Sequence, residues 1–363
     1  MSVGIGKDFA DLPPDIIREK NMLVNAAKQR IPLSGIFELT PRCSLRCKMC
    51  YVRLDEKQMD TIGRELTARE WIALAEEAAD NGTLYLLLTG GEPLLREDFE
   101  EIYTALCHMG FLISLNTNAT LVTPEMVALL RRYPPQMTTV TLYGASPDTY
   151  GRVCGDPTGF DKTMRRLELL SAVPAELVIR ATVIQDNWHE LDAMRVLAEG
   201  FERRLSVNAR IYKAVRGATA EAEKYRLTRR QMTEFEKAHR DCDENPPDSP
   251  VFMQEIARNE ISDVLKGMQP ASLSCAAGKL DYYISWDGKM LPCSLFSRPF
   301  TLPVREGFLE AWKRLPLLLE DIEMPGACKN CDSAETCEKC PARIQAETGC
   351  FDRIPGYICR YAK

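Results

Sequence analysis

LSGIFELTPRCSLRCKMC, residues 33–50, joins a short apolar run to three cysteines. Leu33–Leu39 reads as a buried strand. Cys43, Cys47 and Cys50 follow in the loop after it, spaced C-x3-C-x2-C. Three thiolates on one short loop can hold three corners of a cubane iron–sulfur cluster, which leaves the fourth iron without a protein ligand. An open coordination position marks a site that does chemistry, by the logic that separates catalytic from structural zinc.

Downstream of this loop, strand and helix patterns alternate. Thr67–Asn81 predicts an amphipathic helix, with Thr67 as N-cap, Glu70 completing a capping box and Gly82 as the stop. Leu84–Leu88 is a wholly apolar second strand. Pro93 opens the next helix and Gly110 ends it. Phe111–Leu115, Thr138–Leu142, Leu177–Val183 and Leu205–Tyr212 read as strands three to six. Helices are expected from Thr123, over Asp161–Leu170, and from Asn187 to Glu199. Such alternation predicts a parallel sheet, either a barrel-like open arc or a doubly wound sheet. Both place ligands at the C-terminal ends of the strands, where the cysteine loop lies. Asp15–Gln29 predicts one helix packed on this core. The expected divisions are an N-terminal helical extension over 1–32, the barrel over 33–215, a helical connector over 216–272 and a cysteine-rich unit over 273–363.

Composition narrows the class. The chain has 363 residues, a net charge of −6 and 27% charged residues, an ordinary globular balance. No basic excess points to nucleic acid. No apolar run approaches the roughly 18 residues of a membrane span, and the N-terminus lacks the apolar core of a signal peptide. A cytoplasmic location is expected. In a reducing compartment, 14 cysteines point to metal or redox chemistry rather than disulfides. Cys107, Cys154 and Cys242 stand alone and read as buried or incidental thiols.

A second motif, Gly90-Gly91-Glu92-Pro93, follows strand two. The glycines allow close backbone approach to a ligand, and Glu92 offers a carboxylate to a ligand ammonium. The alternative is a plain strand-to-helix turn. Paired with the cysteine triplet at the same sheet edge, the motif resembles the radical S-adenosylmethionine (SAM) superfamily over about residues 30–215. Met49 fills the apolar position before the last cysteine. The resemblance implies a partial (β/α)6, TIM-like barrel. Cys43, Cys47 and Cys50 would hold a 4Fe–4S cluster whose open iron chelates SAM, and Gly90, Gly91, Glu92 and Pro93 would hold the SAM amino group. Reductive cleavage would yield a 5′-deoxyadenosyl radical that abstracts a substrate hydrogen, with electrons from a low-potential donor of flavodoxin or ferredoxin type. Ser114, Asn116 and Thr117 at strand three are further candidate contacts. So are Tyr143, Gly144 and Ser146 at strand four, where many relatives have Asp-Gly in place of Tyr-Gly, and Arg152 for the SAM carboxylate. For each the alternative is loop capping or surface charge. Arg180 either faces into the barrel or pairs on the helix side.

Eight cysteines cluster late: Cys275, Cys293, Cys328, Cys331, Cys337, Cys340, Cys350 and Cys359. Their spacing, with Gly288 between the first two, is similar to the SPASM domain, which carries two auxiliary 4Fe–4S clusters. The Cys337–Cys340 gap is one residue shorter than the family pattern. The resemblance assigns Cys275, Cys293 and Cys340 to the first auxiliary cluster and Cys328, Cys331, Cys337 and Cys359 to the second. Cys350 is the remaining cysteine for the first; some relatives place that ligand where this chain has Asp281. A pair of structural zinc sites is the alternative.

SPASM relatives mostly modify peptides or proteins, so a ribosomally made peptide is the expected substrate and a thioether or carbon–carbon crosslink the expected product. The other readings are a folded protein, a small metabolite or haem-type side chain, or a non-catalytic iron–sulfur electron carrier. Ser294 after Cys293 departs from sulfatase maturases, which have Asp there. With 32 residues before the first strand, a leader peptide is expected to be bound by another protein or by the barrel itself. The sequence singles out no general base; His108, His189 and His239 read as surface or packing residues.

Overall fold

A computed structural model describes residues 14–238, 265, 267–268, 273, 275–329, 331, 337 and 340–359. Ser274, Cys242, His239 and the expected loop at 241–250 lie outside the described residues.

Eight strands form one sheet: β1 Ser34–Glu38, β2 Tyr85–Thr89, β3 Leu112–Thr117, β4 Met137–Thr141, β5 Glu176–Thr182, β6 Leu205–Asn208, β7 Asp281–Ile284 and β8 Met290–Leu291. Their order is β6-β5-β4-β3-β2-β1-β7-β8. Pairing is parallel from β6 through β1 to β7, and antiparallel only at β8. The run from β1 to β6 never reverses, whereas a doubly wound sheet reverses at a switch point. With crossovers of one hand, helices collect on one face. That is the open arc of a partial barrel.

Register separates the two faces. Phe37 pairs with Leu88, Leu88 with Leu115, Val140 with Ile179 and Ala181 with Val207. These apolar side chains pack on the helices in one core with Trp71, Ile102, Leu130, Leu167 and Met194; Phe37 and Trp71 rings sit 4.9 Å apart. Burying each such side chain contributes about 1.5–3 kcal/mol. The opposite face pairs Glu38 with Thr89, Asn116 with Thr139, Thr141 with Arg180, and Thr182 with Asn208. It is mostly polar along β3–β6, as a face lining a ligand space is and a filled core is not.

Several expected elements shift. Pro93 opens only a 3-10 turn, Pro93–Leu95, and the helix starts at Phe99. A helix over Pro147–Cys154 precedes Gly159–Leu170, and Glu56–Ile62 is a further helix with an Asp55–Gln58 capping box. The Thr67–Glu70 box forms as expected. Helix Pro14–Gln29 packs Leu23, Ala26 and Ala27 against Leu33, Tyr85 and Leu280. The later cysteine-rich region continues the sheet: β7 pairs with β1 from Ser34 to Phe37. Helix Phe308–Glu320 then docks on the barrel, with Phe308 and Trp312 packed edge-on against Tyr282.

Candidate active site

The Gly90–Glu92 loop runs beside the residues that lead into Cys43. Gly91 N–H donates to the Thr40 carbonyl at 2.7 Å, and Glu92 N–H to the Arg42 carbonyl at 2.8 Å. A Cβ at either glycine would collide with those backbone oxygens, and Gly90 has φ +151°. The close approach of two strand ends is thus what requires glycine here.

Glu92 is fully buried. Its Oε1 accepts from Thr117 Oγ1 at 2.8 Å and Leu94 N–H at 3.2 Å, and its Oε2 from Asn118 N–H at 2.7 Å. All three donors are neutral. Burial pushes its pKa up to about 7, against the pull of these bonds. A buried carboxylate with neutral partners is well suited to a ligand ammonium.

Cys43 Sγ accepts from Leu45 N–H at 3.4 Å and Asn118 Nδ2 at 3.5 Å. Burial raises the Cys43 thiol, with added repulsion from Glu92, Cys47 and Cys50. Cys47 is raised by the Cys154 thiol beside it and by burial, and burial and Cys47 push Cys50 up to about 11. The three thiols therefore share one electrostatic neighbourhood that a cationic iron centre would relieve, releasing protons on binding. Among the described residues no three His, Cys, Asp or Glu groups close around a single-ion position. A four-iron cluster places each cysteine on a different iron, so the donor set fits that group.

The fourth strand end is organised by Glu190. Its carboxylate accepts from Ala145 N–H and Ser146 Oγ at 2.6 Å each, and from Thr149 Oγ1 at 2.7 Å. Ser146 also caps helix Pro147–Cys154 through Thr149 N–H. Arg152 donates to Thr149 Oγ1 at 2.6 Å and lies 3.5 Å from His189 Nε2. Ser114 is buried on β3 in register with Leu87 and Met137, and Asn116 pairs with Thr139. Arg180 takes its place on the polar face beside Thr141 and Ser206.

Sequence reasoning missed Asn118, Glu190 and the place of Cys154. Cys154, read as a buried or incidental thiol, is buried, and it lies at the Cys43–Cys50 loop: its carbonyl accepts Arg46 N–H at 2.9 Å, and the Val153 carbonyl accepts Lys48 N–H at 3.0 Å. Nothing in local spacing marks these residues, because Asn118 reaches Glu92 across 26 positions and Cys43 across 75, and Glu190 reaches its turn across 41 to 45.

Among the later cysteines, Cys275, Cys293 and Cys340 act on one another. Cys275 is exposed as a residue, but the packing around its sulfur raises the thiol, with Cys340 and Asp281 adding to it. Burial pushes Cys293 up to about 12, with Cys340 and Cys275 adding. Asp281 is itself held at about 7 by burial. Cys350 Sγ lies 3.6 Å from Thr348 Oγ1 and acts on Asp352. Cys328, Cys331, Cys337 and Cys359 are partly buried and unbridged.

The open parallel arc carries C-x3-C-x2-C after β1 and, beside it, Gly90 and Gly91 leading into the buried Glu92. Over residues 37–198 the chain matches the model described as Radical SAM superfamily. It is 28% identical over 333 residues to an AdoMet-dependent heme synthase of Methanosarcina barkeri, covering 86% of this chain and 92% of that protein. It is 27% identical over 282 residues to the antilisterial bacteriocin subtilosin biosynthesis protein AlbA of Bacillus subtilis, covering 75% of this chain and 57% of that one. The crystal structure of Streptococcus suis SuiB bound to S-adenosylmethionine shares the fold, with TM-score 0.65 over 95% of this chain and 82% of that one at 16% identity. Among the described residues no helix is long and apolar enough to cross a membrane.

Proposed function

We propose that this chain is a peptide maturase, which oxidises a side chain of a ribosomally made peptide and closes a thioether or carbon–carbon crosslink. The observation that carries the reading is the polar inner face of the sheet. Asn116, Thr139, Thr141, Thr182 and Asn208 lie there in paired register. Amide and hydroxyl groups in rows suit the backbone and side chains of an extended peptide better than a flat apolar macrocycle. The biosynthesis relative AlbA supports the same substrate class.

Cys43, Cys47 and Cys50 would hold the 4Fe–4S cluster, and Gly90, Gly91, Glu92 and Pro93 the SAM amino group. When bound, cluster and SAM supply a 5′-deoxyadenosyl radical for hydrogen abstraction. The chain's own residues do the rest: Glu92 orients the ammonium, Asn118 holds the Cys43 sulfur, and Glu190 shapes the Gly144–Thr149 turn that presents Ser146. Ser114, Asn116 and Arg152 are further proposed contacts. Cys275, Cys293 and Cys340 form the first proposed auxiliary set. The nearness of Asp281 to Cys275 favours its carboxylate over Cys350 as the fourth ligand. Cys328, Cys331, Cys337 and Cys359 form the second. A flavodoxin- or ferredoxin-type donor would supply the electron that cleaves SAM, the auxiliary clusters would accept the electron released as the crosslink closes while the second hydrogen leaves as a proton, and a separate leader-binding protein would present the peptide.

Mass spectrometry of a short Cys- or aromatic-rich peptide encoded beside the gene, after co-expression, tests this. Loss of two hydrogens is expected, and an unchanged mass sinks the crosslinking proposal. If reconstituted, reduced protein never yields 5′-deoxyadenosine, the SAM-cleaving reading falls as well. A second reading, oxidation of a haem-precursor side chain, is favoured by the near-complete coverage of the heme synthase relative. Turnover of an iron porphyrin carrying propionates would establish it in place of the first.

A further inference from the structure

Arg216 follows β6 in a left-handed turn, with φ +50°, and Gly217 continues it at φ +91°. A non-glycine residue holds that conformation only where surrounding contacts over-determine it. Here they come from three separate segments. The Arg216 side chain is 9% exposed, and its Nη2 lies 3.3 Å from Oε2 of Glu38, itself 1% exposed at the end of β1. The same nitrogen donates to the Tyr283 hydroxyl on β7 at 3.1 Å. Nη1 donates to the carbonyls of Ser294 and, at 3.2 Å, of Phe296. The Tyr283 ring lies 5.0 Å from the guanidinium carbon. Arg216 N–H donates to Ser297 Oγ at 3.3 Å.

Those two carbonyls belong to the turn that begins at Cys293, closed by Phe296 N–H on the Cys293 carbonyl at 3.2 Å. One residue before Arg216, Val215 N–H donates to the Tyr51 carbonyl at 2.9 Å. Tyr51 directly follows Cys50. The buried Arg216 side chain therefore grips the Cys293 turn, while the backbone one residue before it is tied to the residue after Cys50. Arginine suits the task because its planar fork can serve a carboxylate, a hydroxyl and two carbonyls together; a lysine ammonium has three donors and no plane.

We propose that Arg216 is a positioning residue that fixes the Cys293 turn relative to the Cys43–Cys50 loop, and so sets the geometry between the two metal sites. This rests on reading Cys275, Cys293 and Cys340 as ligands. The charge at Glu38 holds the guanidinium in place; the fork then clamps the carbonyl edge of the turn.

The test uses the full chain with Arg216→Gln, Arg216→Lys and the milder Tyr283→Phe. In apoprotein, hydrogen exchange over residues 293–298 is expected to rise about tenfold in Arg216→Gln, as loss of charge-assisted bonds implies. Helix Ala68–Asp80 should keep its protection. Arg216→Lys should recover little, and Tyr283→Phe should show a smaller rise in the same segment. In reconstituted protein, the spin relaxation of the Cys43–Cys50 cluster, which reports its separation from a second paramagnet, should change in the Arg216 variants. Unchanged exchange at 293–298, or protection lost equally across the barrel, overturns the proposal. So does unaltered spin relaxation in an Arg216→Gln protein that carries full iron. The ligand reading is tested apart from it: Cys293→Ala must lower bound iron, and if it does not, that reading fails whatever Arg216 does.

Discussion

The backbone N–H of Asn118 donates to Glu92 Oε2 at 2.7 Å, while the Asn118 side chain reaches Cys43 Sγ at 3.5 Å. One residue at the end of β3 thus touches both the carboxylate proposed for the SAM ammonium and a proposed cluster sulfur. An N–H donor to a cluster sulfur stabilises the more reduced, more negative state, so losing the donor disfavours reduction. Asn118→Ala is therefore expected to lower the reduction potential of the Cys43–Cys50 cluster, measured by redox titration followed by electron paramagnetic resonance. An unchanged potential would show that the contact does not tune the cluster.

Glu92 makes apoprotein stability depend on pH. Its carboxyl is raised from 4.5 to about 7 by burial. The native state therefore holds a proton that the unfolded chain releases near pH 4.5. The favourable contribution is fully present below that value and is lost as pH rises through about 7. The shift corresponds to roughly 3 kcal/mol. Urea denaturation of apoprotein at pH 5 and pH 8 should show wild type losing about that much more than Glu92→Gln. Equal pH dependence in the two proteins would contradict it.

Gly91→Ala places a Cβ inside the Arg42 carbonyl. Backbone lies on both sides of the clash, so it cannot relax by moving a flexible side chain. A cost of about 2–4 kcal/mol is expected, seen as a lower thermal midpoint and reduced iron uptake by the cysteine loop.

Glu190→Ala removes the acceptor for three bonds from the Gly144–Thr149 turn. Stability should fall by about 2 kcal/mol. The apparent KM for SAM should rise while bound iron at Cys43, Cys47 and Cys50 stays at the wild-type level. Loss of iron in step with SAM affinity would place Glu190 in a general structural role.

Asp281→Ala should alter the magnetic signal of the auxiliary iron more than Cys350→Ala does, because the Asp281 carboxylate acts on Cys275 while Cys350 faces Thr348 and Asp352. The opposite ranking would make Cys350 the ligand.

Much of the fold was legible locally. The six strands from β1 to β6 fall within a few residues of where apolar runs end in turn residues, and the Thr67–Glu70 box forms as written. The helix expected at Pro93 begins later, since Glu92 is drawn into bonds with Thr117 and Asn118 and the turn after it is 3-10. The division at residue 273 was drawn from a change in texture. Texture does not reveal that β7 pairs with β1, a contact made across more than 240 positions.

The sequence alone determined the candidate ligands and the class of chemistry they suggest: C-x3-C-x2-C, Gly-Gly-Glu-Pro and the late cysteines are short-range patterns, and short-range spacing is what a cluster or a tight turn constrains. Tertiary structure decided the rest. It chose the open arc over the doubly wound sheet, turned a polar face inward, and brought Asn118 to Cys43, Glu190 to Ser146 and Arg216 to the Cys293 turn. Those contacts depend on which strand ends are neighbours, and neighbourhood across a sheet is set by strand order and register, which are properties of the packed whole rather than of any local stretch.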